Sequence, residues 1–296
     1  EFIIYIIVGF YLGIQKTNIS SLLIIIFSAL NITLSSFFVL SLDLNVLGVA
    51  LGTLLSSYIT IFLFLIFTYF FIINKFQIIP KLQNLIISSK LLKLFHINFD
   101  IFIRTFFLTF AFLWFTYLGS KLGEDYLAVN TILMQFVIFA SFFLDAYAFS
   151  TEGVVGFAIG RKNKKTFLMV VKNSIQISFF TALVISLLYL FFFKQVINVI
   201  TDVELLRFIS YKHFLWVLII PLVASFCYQL DGIFIGATQT KEMRNAMMIS
   251  VVSFIIVSIY LSKYLGNHGL WFSLLFFMLL RSLTLNLVFN KILKKF

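Results

Sequence analysis

Residues 126–156 of the chain read YLAVNTILMQFVIFASFFLDAYAFSTEGVVG and contain only two charged side chains, Asp145 and Glu152. An apolar stretch of about 20 residues is long enough for an α-helix to cross the hydrocarbon core of a bilayer. Asp145 and Glu152 are seven residues apart, so a helix would place both on one face, about 10 Å apart along its axis. This stretch therefore predicts a membrane-spanning helix that carries two acids on one stripe.

The composition extends this interpretation to the whole chain. Of the 296 residues, 62% are hydrophobic and 11% are charged, whereas a soluble domain is about half apolar and about a quarter charged. So few charges cannot cover a soluble surface, and we predict an all-α polytopic membrane protein. The basic residues behind the net charge of +11 are then expected in loops at one face of the membrane, and they do not indicate a nucleic-acid surface. The single Cys227 excludes an intramolecular disulfide.

Nine apolar segments, counting a shortened first one, are candidate membrane spans by length. They are residues 1–14, 20–42, 46–73, 100–119, 126–156, 166–193, 208–236, 245–263 and 268–290. The first begins without an initiator methionine or a charged leader region, so we expect a fragment that starts inside a spanning helix. The 41 phenylalanines and the abundant Ile, Lys and Asn are typical of an AT-rich bacterial genome.

The basic residues predict the orientation of these spans. Of the 22 Lys and Arg residues, 16 fall in one alternating set of loops, five fall in the other set, and Arg281 lies within a span. Cytoplasmic loops carry the excess of positive charge, so we predict a cytoplasmic C-terminus. Residues 74–99 form the longest basic connection and join two bundles, 1–73 and 100–296. This connection is either an amphipathic stretch at the membrane interface or a solvated linker.

Two parts of the chain resemble each other. FYLGIQKTNISS (10–21) is similar to IFIGATQTKEMRN (233–245), with Gly13 aligned with Gly236. Both copies run helix, cytoplasmic turn, helix, and therefore have the same orientation in the membrane. Two like-oriented bundles are a common plan for secondary transporters.

Four long runs of sequence occur in an order that is typical of one family. They are GFYLGIQKTNISSLLIIIFSALNITLSSFFV (9–39), AVNTILMQFVIFASFFLDAYAFSTEGVVGFAIGRKN (128–163), LDGIFIGATQTKEMRNAMM (230–248) and LGNHGLWFSLLFFMLLRSLTL (265–285). Together they resemble the MATE multidrug exporters, above all the DinF branch. The resemblance covers the whole chain and implies a two-lobe bundle of twelve helices, of which about nine are present. Residues 1–73 would be helices four to six, and 100–296 would be the C-lobe with helices seven to twelve.

The acidic stripe is the first candidate for an ion-coupling site. Asp145 and Glu152 recur at helical spacing with Gln135, Phe142 and Phe149. An acid inside the bilayer is costly unless it is protonated, paired or hydrated, so this face should look into the bundle or a cavity. The functional interpretation is a proton or cation site, with the phenylalanine rings holding an organic cation.

The alternative interpretation is a structural ion pair. Arg281 lies within the last span and Arg104 near the start of the fourth, and a buried arginine needs a carboxylate or carbonyl partner. Either one could hold Asp145, Glu152 or Asp231.

The resemblance adds further candidates and two departures. An acid in the tenth helix takes part in cation binding in related MATE branches, and Asp231 resembles it. Asn31 and Tyr228 are candidates for the cavity lining. Ser35 stands where many members carry an acid, and residues 101–115, the seventh family helix, contain none. A sodium site built on that helix is therefore not supported.

These features predict a secondary multidrug exporter and not an enzyme. It would couple efflux of organic, often cationic, compounds to inward flow of H⁺ or Na⁺ by alternating access. We expect a monomer in a bacterial inner membrane, with lipid and small molecules as partners and no nucleic acid, cofactor or metal, since the histidine spacing fits no metal site. The alternative is a lipid-linked precursor flippase of the same superfamily, which requires a large cationic cavity. A non-transporting scaffold would leave the intramembrane acids unexplained.

Overall fold

The computed structural model describes residues 2–76 and 88–296, and the side chains of residues 2–72 and 91–296. Within these ranges every regular element is a helix. The helices are α1 (Phe2–Gly13), α2 (Thr17–Leu40), α3 (Asn45–Phe76), α4 (Ser88–Lys121), α5 (Glu124–Gly160), α6 (Lys164–Ile200), α7 (Glu204–Lys212), α8 (Phe214–Gly236), α9 (Thr240–Leu287) and α10 (Asn290–Leu293).

The helices have the length and composition of membrane spans. In the described residues, seven stretches are long and apolar enough to cross a bilayer, and α1 is a shorter apolar helix. Large apolar side chains such as Phe142, Phe180 and Phe191 are exposed on their outer faces. A helix satisfies its backbone hydrogen bonds internally, so it is one of the few structures that lipid tolerates. The prediction of an all-α polytopic membrane protein is confirmed.

One predicted span boundary is wrong, and one predicted break between spans is observed. The span predicted at 208–236 is interrupted at His213 (φ −98°, ψ 5°), which separates α7 from α8. The segment before this break carries Glu204, Arg207 and Lys212, so it is too polar to extend the span. The spans predicted at 245–263 and 268–290 are two limbs of α9, divided at Gly266 (φ 56°, ψ −135°). Glycine enters this conformation without the steric cost that a Cβ would add.

The predicted connection at 74–99 is partly helical. Residues 77–87 lie outside the described residues, so the choice between an interfacial stretch and a solvated linker is not decided there. Residues 88–99, however, belong to α4. His96, expected in a loop, bonds through Nδ1 to the carbonyl of Leu92 at 2.7 Å, one helical turn earlier. The run LLKLFHINFD contains no glycine or proline to end the helix before the span.

The chain has two compact units, Glu1–Leu91 and Leu92–Phe296. The first unit contains α1, α2 and α3, packed around the buried Tyr11, whose hydroxyl lies 3.0 Å from Thr68 Oγ1. Helices α2 and α3 approach closely at Gly52, where an added Cβ would collide with the backbone of Ser35.

The second unit contains α4 to α10 around a core of large rings. Trp271 and Phe115 are buried edge to face, with centroids 5.2 Å apart. Beside them the buried amides of Asn130 and Asn267 bond to each other at 2.8 and 2.9 Å. Trp271 Nε1 also donates to Asn130 Oδ1 at 2.8 Å. These contacts fix α5 against the second limb of α9.

Three turns elsewhere in the chain share one backbone pattern. Gln15, Lys162 and Thr238 each have a positive φ, of 59°, 52° and 53°. In each turn the residue after this position donates its N–H to a carbonyl five residues before itself, as Lys16 does to Tyr11 at 2.8 Å. Such a left-handed residue is a common way to end an α-helix. The turns in the two sequence copies, 10–21 and 233–245, therefore have the same local structure.

Candidate functional site

A polar cavity of about 340 Å³ lies within the second unit. Its wall comes from α4, α5, α8 and the second limb of α9. Five charged side chains line it, namely Arg104, Asp145, Glu152, Asp231 and Arg281. With three carboxylates and two guanidiniums the wall carries a net charge of −1 when every group is ionised. The rest of the wall is mainly apolar and aromatic.

Two glycines set the distance between the helices that carry the acids. A Cβ added to Gly232 would collide with the backbone of Ala148, and one added to Gly236 would collide with that of Glu152. These glycines are four residues apart on α8, so they lie on one face and let the backbones of α8 and α5 touch. The contact brings Asp231 on α8 to the same cavity as Asp145 and Glu152 on α5.

Asp231 is held by two arginines from different helices. Its Oδ2 accepts from Arg104 Nη2 of α4 at 2.5 Å and from Arg281 Nη2 of α9. The side chains of Arg104, Asp231 and Arg281 are 15%, 8% and 7% exposed. A buried carboxylate needs opposite charge and hydrogen bonds to offset its lost hydration, and this cluster supplies both. The cluster therefore ties α4, α8 and α9 together.

Asp145 and Glu152 are in a different situation. Both line the cavity and are half-buried. Neither forms an ion pair with any residue in the described part of the chain. The predicted pairing of Arg281 or Arg104 with one of three acids is thus seen for Asp231. The two acids on the α5 stripe remain available to another positive charge.

The other predicted cavity residues are divided among three places. Phe149 and Tyr228 line the polar cavity with the acids. Gln135 and Phe142 instead line a separate apolar groove of about 480 Å³ between α5 and α6. Residues spaced by 3 and 4 drift around a helix of 3.6 residues per turn, so the two ends of a long stripe face different neighbours. The sequence pattern had placed them all on one face.

Asn31 belongs to the first unit. Its Nδ2 donates to Thr53 Oγ1 of α3 at 3.1 Å and lies 3.5 Å from Ser56 Oγ. Ser35, one turn later, sits at the close approach of α2 to Gly52. Within the described residues the polar contacts between α2 and α3 are therefore made by neutral groups.

Sequence reasoning missed several residues of the cavity wall. They are Thr105, Leu108, Phe112, Cys227, Ile235, Phe277 and Met278. The spacing of Gly232 and Gly236 was a usable signal, since two small residues four positions apart favour close packing of membrane helices. Applied to α8, it would have predicted the contact with another helix at Asp231.

Comparisons with known proteins agree with this architecture. The family model MatE matches residues 101–264, more than half of the 296 residues. The chain is 33% identical over 295 residues to DNA damage-inducible protein F of Escherichia coli, covering 97% of this chain and 62% of that protein. It is 24% identical over 284 residues to Protein DETOXIFICATION 43 of Arabidopsis thaliana, covering 93% of this chain and 51% of that protein.

The solved structures show the same fold. The Vibrio cholerae MATE transporter VcmN, in its bent form, superposes with a TM-score of 0.86 at 18% identity, covering 98% of this chain and 66% of that one. The helices of the two compact units, with seven apolar stretches in the described residues long enough to cross a bilayer, define a polytopic membrane fold. The chain belongs to the MatE family, and the resemblance predicted from the sequence is confirmed. It spans less than two thirds of these relatives' length.

Proposed function

We propose that the protein containing this chain is a secondary active exporter of organic compounds that works by alternating access. The observation that carries the proposal is the cavity in which Asp145 and Glu152 face an apolar, aromatic wall without an arginine partner in the described chain. A carboxylate inside a membrane is energetically costly, and where one occurs it usually belongs to an ion or proton pathway. Such a wall is suited to binding an organic compound for export and not to catalysing a reaction.

The three acids divide into two roles in this proposal. Asp231 already has two cationic partners, so a transported cation would have to displace a guanidinium to reach it. Asp145 and Glu152 have no such competitor and take up the coupling ion, H⁺ or Na⁺. An ion can drive a conformational change only if it binds the two states with different affinity. Access of water to these acids from one side at a time would give that difference.

The substrate in this proposal is an amphipathic compound, often cationic. Phe149, Tyr228 and Phe112 line the cavity beside the acids, and aromatic faces attract organic cations. The protein would act as a monomer in a bacterial inner membrane, with residues 1–73 and 100–296 in its two lobes and its C-terminus in the cytoplasm. Asn31 would line the N-lobe side of the substrate path, and Gln135 and Phe142 a lateral one.

The test uses the full-length protein in sealed vesicles with an imposed pH or sodium gradient. A substrate should dissipate the gradient of the coupling ion and leave the other gradient unchanged. Asp145→Asn should reduce this dissipation at least tenfold at a normal protein level, because the acid that takes up the ion is gone. The control is Asp202→Asn, since Asp202 is fully exposed at the end of α6. Unchanged dissipation with Asp145→Asn would overturn the assignment.

A flippase for a lipid-linked precursor is the second candidate. The observation in its favour is that two arginines, Arg104 and Arg281, line the same cavity and could hold a pyrophosphate. Asp231 neutralises part of this charge, and the unpaired acids repel an anion. Under this alternative, Asp145→Asn would preserve or improve transport of an anionic lipid, and neither imposed gradient would respond to organic cations.

A further inference from the structure

One end of the second unit collects basic side chains from three separate parts of the chain. The α5–α6 turn contributes RKNKK (161–165), which is exposed throughout. Phe167, at the start of α6, packs against Phe289 and Phe296 with ring centroids 5.9 and 5.1 Å apart. This contact holds the C-terminal lysines beside the turn. We define the basic end as Lys93, Lys162, Lys164, Lys165, Lys294 and Lys295.

Lys295 shows that the positive charges at this end are crowded. Its Nζ donates to the carbonyl of Ala237 and lies 3.4 Å from Thr238 Oγ1, so it caps the C-terminus of α8. Burial lowers the pKa of Lys295, and the nearby positive charge of Lys93 on α4 lowers it further. Like charges at close range favour the approach of an anion.

The carboxylates near this end are already occupied. Asp100 accepts from Arg244 at 2.6 Å and from Thr240 at 3.2 Å. Glu242 accepts from Lys291 at 2.8 Å. In the described part of the chain, no ion pair is made by any of the six lysines of the basic end. These lysines therefore present positive charge that the protein itself does not neutralise.

The position of these charges selects the partner. The α5 span ends at Gly160, the α6 span begins at Lys164, and the span that contains α9 and α10 ends at Leu293. The basic end thus lies where these helices leave the bilayer. Exposed apolar side chains, Leu168 and Met169, follow within the next turn of α6. A phospholipid meets both features, with its phosphate on the lysines and its acyl chains along the helix.

We propose that the basic end is a binding surface for anionic phospholipid headgroups. Each lysine near a membrane surface adds to the attraction of anionic lipid, so six together bind far more strongly than one. The C-terminal segment and the start of α4 meet here, and a bound lipid bridges them. This role is independent of which compound the protein exports.

The experiment measures lipid binding by the full-length protein in detergent. Phosphatidylglycerol and phosphatidylcholine are added in turn, and retained lipid is counted by native mass spectrometry. We expect phosphatidylglycerol to be retained at least tenfold better. The quadruple variant Lys93→Gln, Lys162→Gln, Lys164→Gln, Lys165→Gln should lose most of that preference. It spares Lys295, whose cap on α8 supports the fold.

The matched control replaces lysines at the opposite end, with Lys121→Gln, Lys194→Gln and Lys263→Gln, and should retain the preference. Equal retention of the two lipids, or an equal loss in both variants, would overturn the proposal. In a third experiment, inorganic phosphate is added as a competitor of the lipid. If millimolar phosphate displaced phosphatidylglycerol completely, the surface would be a site for free anions and not for lipid. Transport is not part of the readout, so failure here leaves the proposed exporter function untouched.

Discussion

Two helix crossings in this chain use the same packing device with different chemistry. In the first unit, Gly52 lets α3 approach the backbone of Ser35 on α2. In the second, Gly232 and Gly236 let α8 approach α5. The first crossing carries Asn31 and its hydroxyl partners, whereas the second carries carboxylates and guanidiniums.

The comparison of the two crossings shows that close packing of the helices and the charge beside the contact are independent features. Close approach of two membrane helices requires small residues and does not depend on charge. Once the backbones touch, the side chains beside the contact decide whether the crossing is a neutral joint or a charged cavity. Among the described residues the charged crossing is the one on α5 and α8, which is why ion coupling within this chain is proposed there.

The largest effect should come from breaking the ionic cluster. Arg281→Met leaves Asp231 buried with one arginine, and removing one partner of a buried ion pair costs about 3–5 kcal/mol. We expect a marked fall in the melting temperature of the purified protein. Neutralising the whole cluster, with Arg104→Gln, Asp231→Asn and Arg281→Met together, should restore most of that loss, because no uncompensated charge remains. Equal melting temperatures for the single and triple variants would show that the cluster is not what stabilises the crossing.

A smaller effect should come from filling the close approaches. Gly236→Ala and Gly52→Ala each place a Cβ against the backbone of the facing helix, and overpacking costs about 1–3 kcal/mol. Matched controls are Gly160→Ala and Gly9→Ala, which meet nothing within 4 Å. Similar losses at Gly236 and Gly52 would show that the device is the same in both units. A loss at only one of them would break the comparison.

Substitutions at the uncharged α2–α3 crossing should have a small effect on stability. Asn31→Leu removes the bond to Thr53, and one neutral hydrogen bond contributes about 0.5–1.5 kcal/mol. We expect a small drop in melting temperature and unchanged coupling in the gradient assay. A loss of coupling as large as that from Asp145→Asn would show that the first unit also takes part in ion movement.

The smallest effect should be a pH dependence confined to the second unit, since the first contains no histidine. His213 is buried, its Nδ1 lies 2.8 Å from the carbonyl of Ile209, and its ring stacks on His268 with centroids 4.2 Å apart. Burial lowers the pKa of His213, and the neighbouring His268 and Lys212 lower it further.

The unfolded chain therefore binds a proton at His213 more readily than the folded one, and stability falls as the pH drops below about 6.5. Melting temperatures measured from pH 8 to pH 5 should show this decline, and His213→Phe should flatten it. Tyr126 meets the ring of His213 edge to face, with centroids 6.3 Å apart. The same slope in His213→Phe would assign the dependence to another group.

The sequence predicted the spans well because lipid demands long apolar segments. It also placed the break at Gly266, which lies in the gap between the spans predicted at 245–263 and 268–290. The sequence could not decide, however, which of the three acids pairs with the two arginines. Arg104 and Arg281 are 127 and 50 residues away in sequence, and only the packing of α4, α8 and α9 selects Asp231 from three candidate acids.

The α5 stripe shows the limit of periodicity. Helical spacing grouped Gln135 and Phe142 with Asp145, yet the polar cavity and the apolar groove divide them. Which part of a broad face meets which neighbour depends on where the other helices cross, and α8 crosses α5 at Ala148 and Glu152. Local sequence therefore predicts a face, and tertiary packing divides it.

Cys227 gives the cavity a chemical reporter. It is the single thiol of this chain, it is 1% exposed, and it lines the cavity beside Asp231 and Arg281. A membrane-impermeant maleimide added to one side would label it only when that side is open to water. The labelling rate, compared between the two sides and with or without a transported compound, would time the opening of the cavity without an engineered probe in this part of the protein.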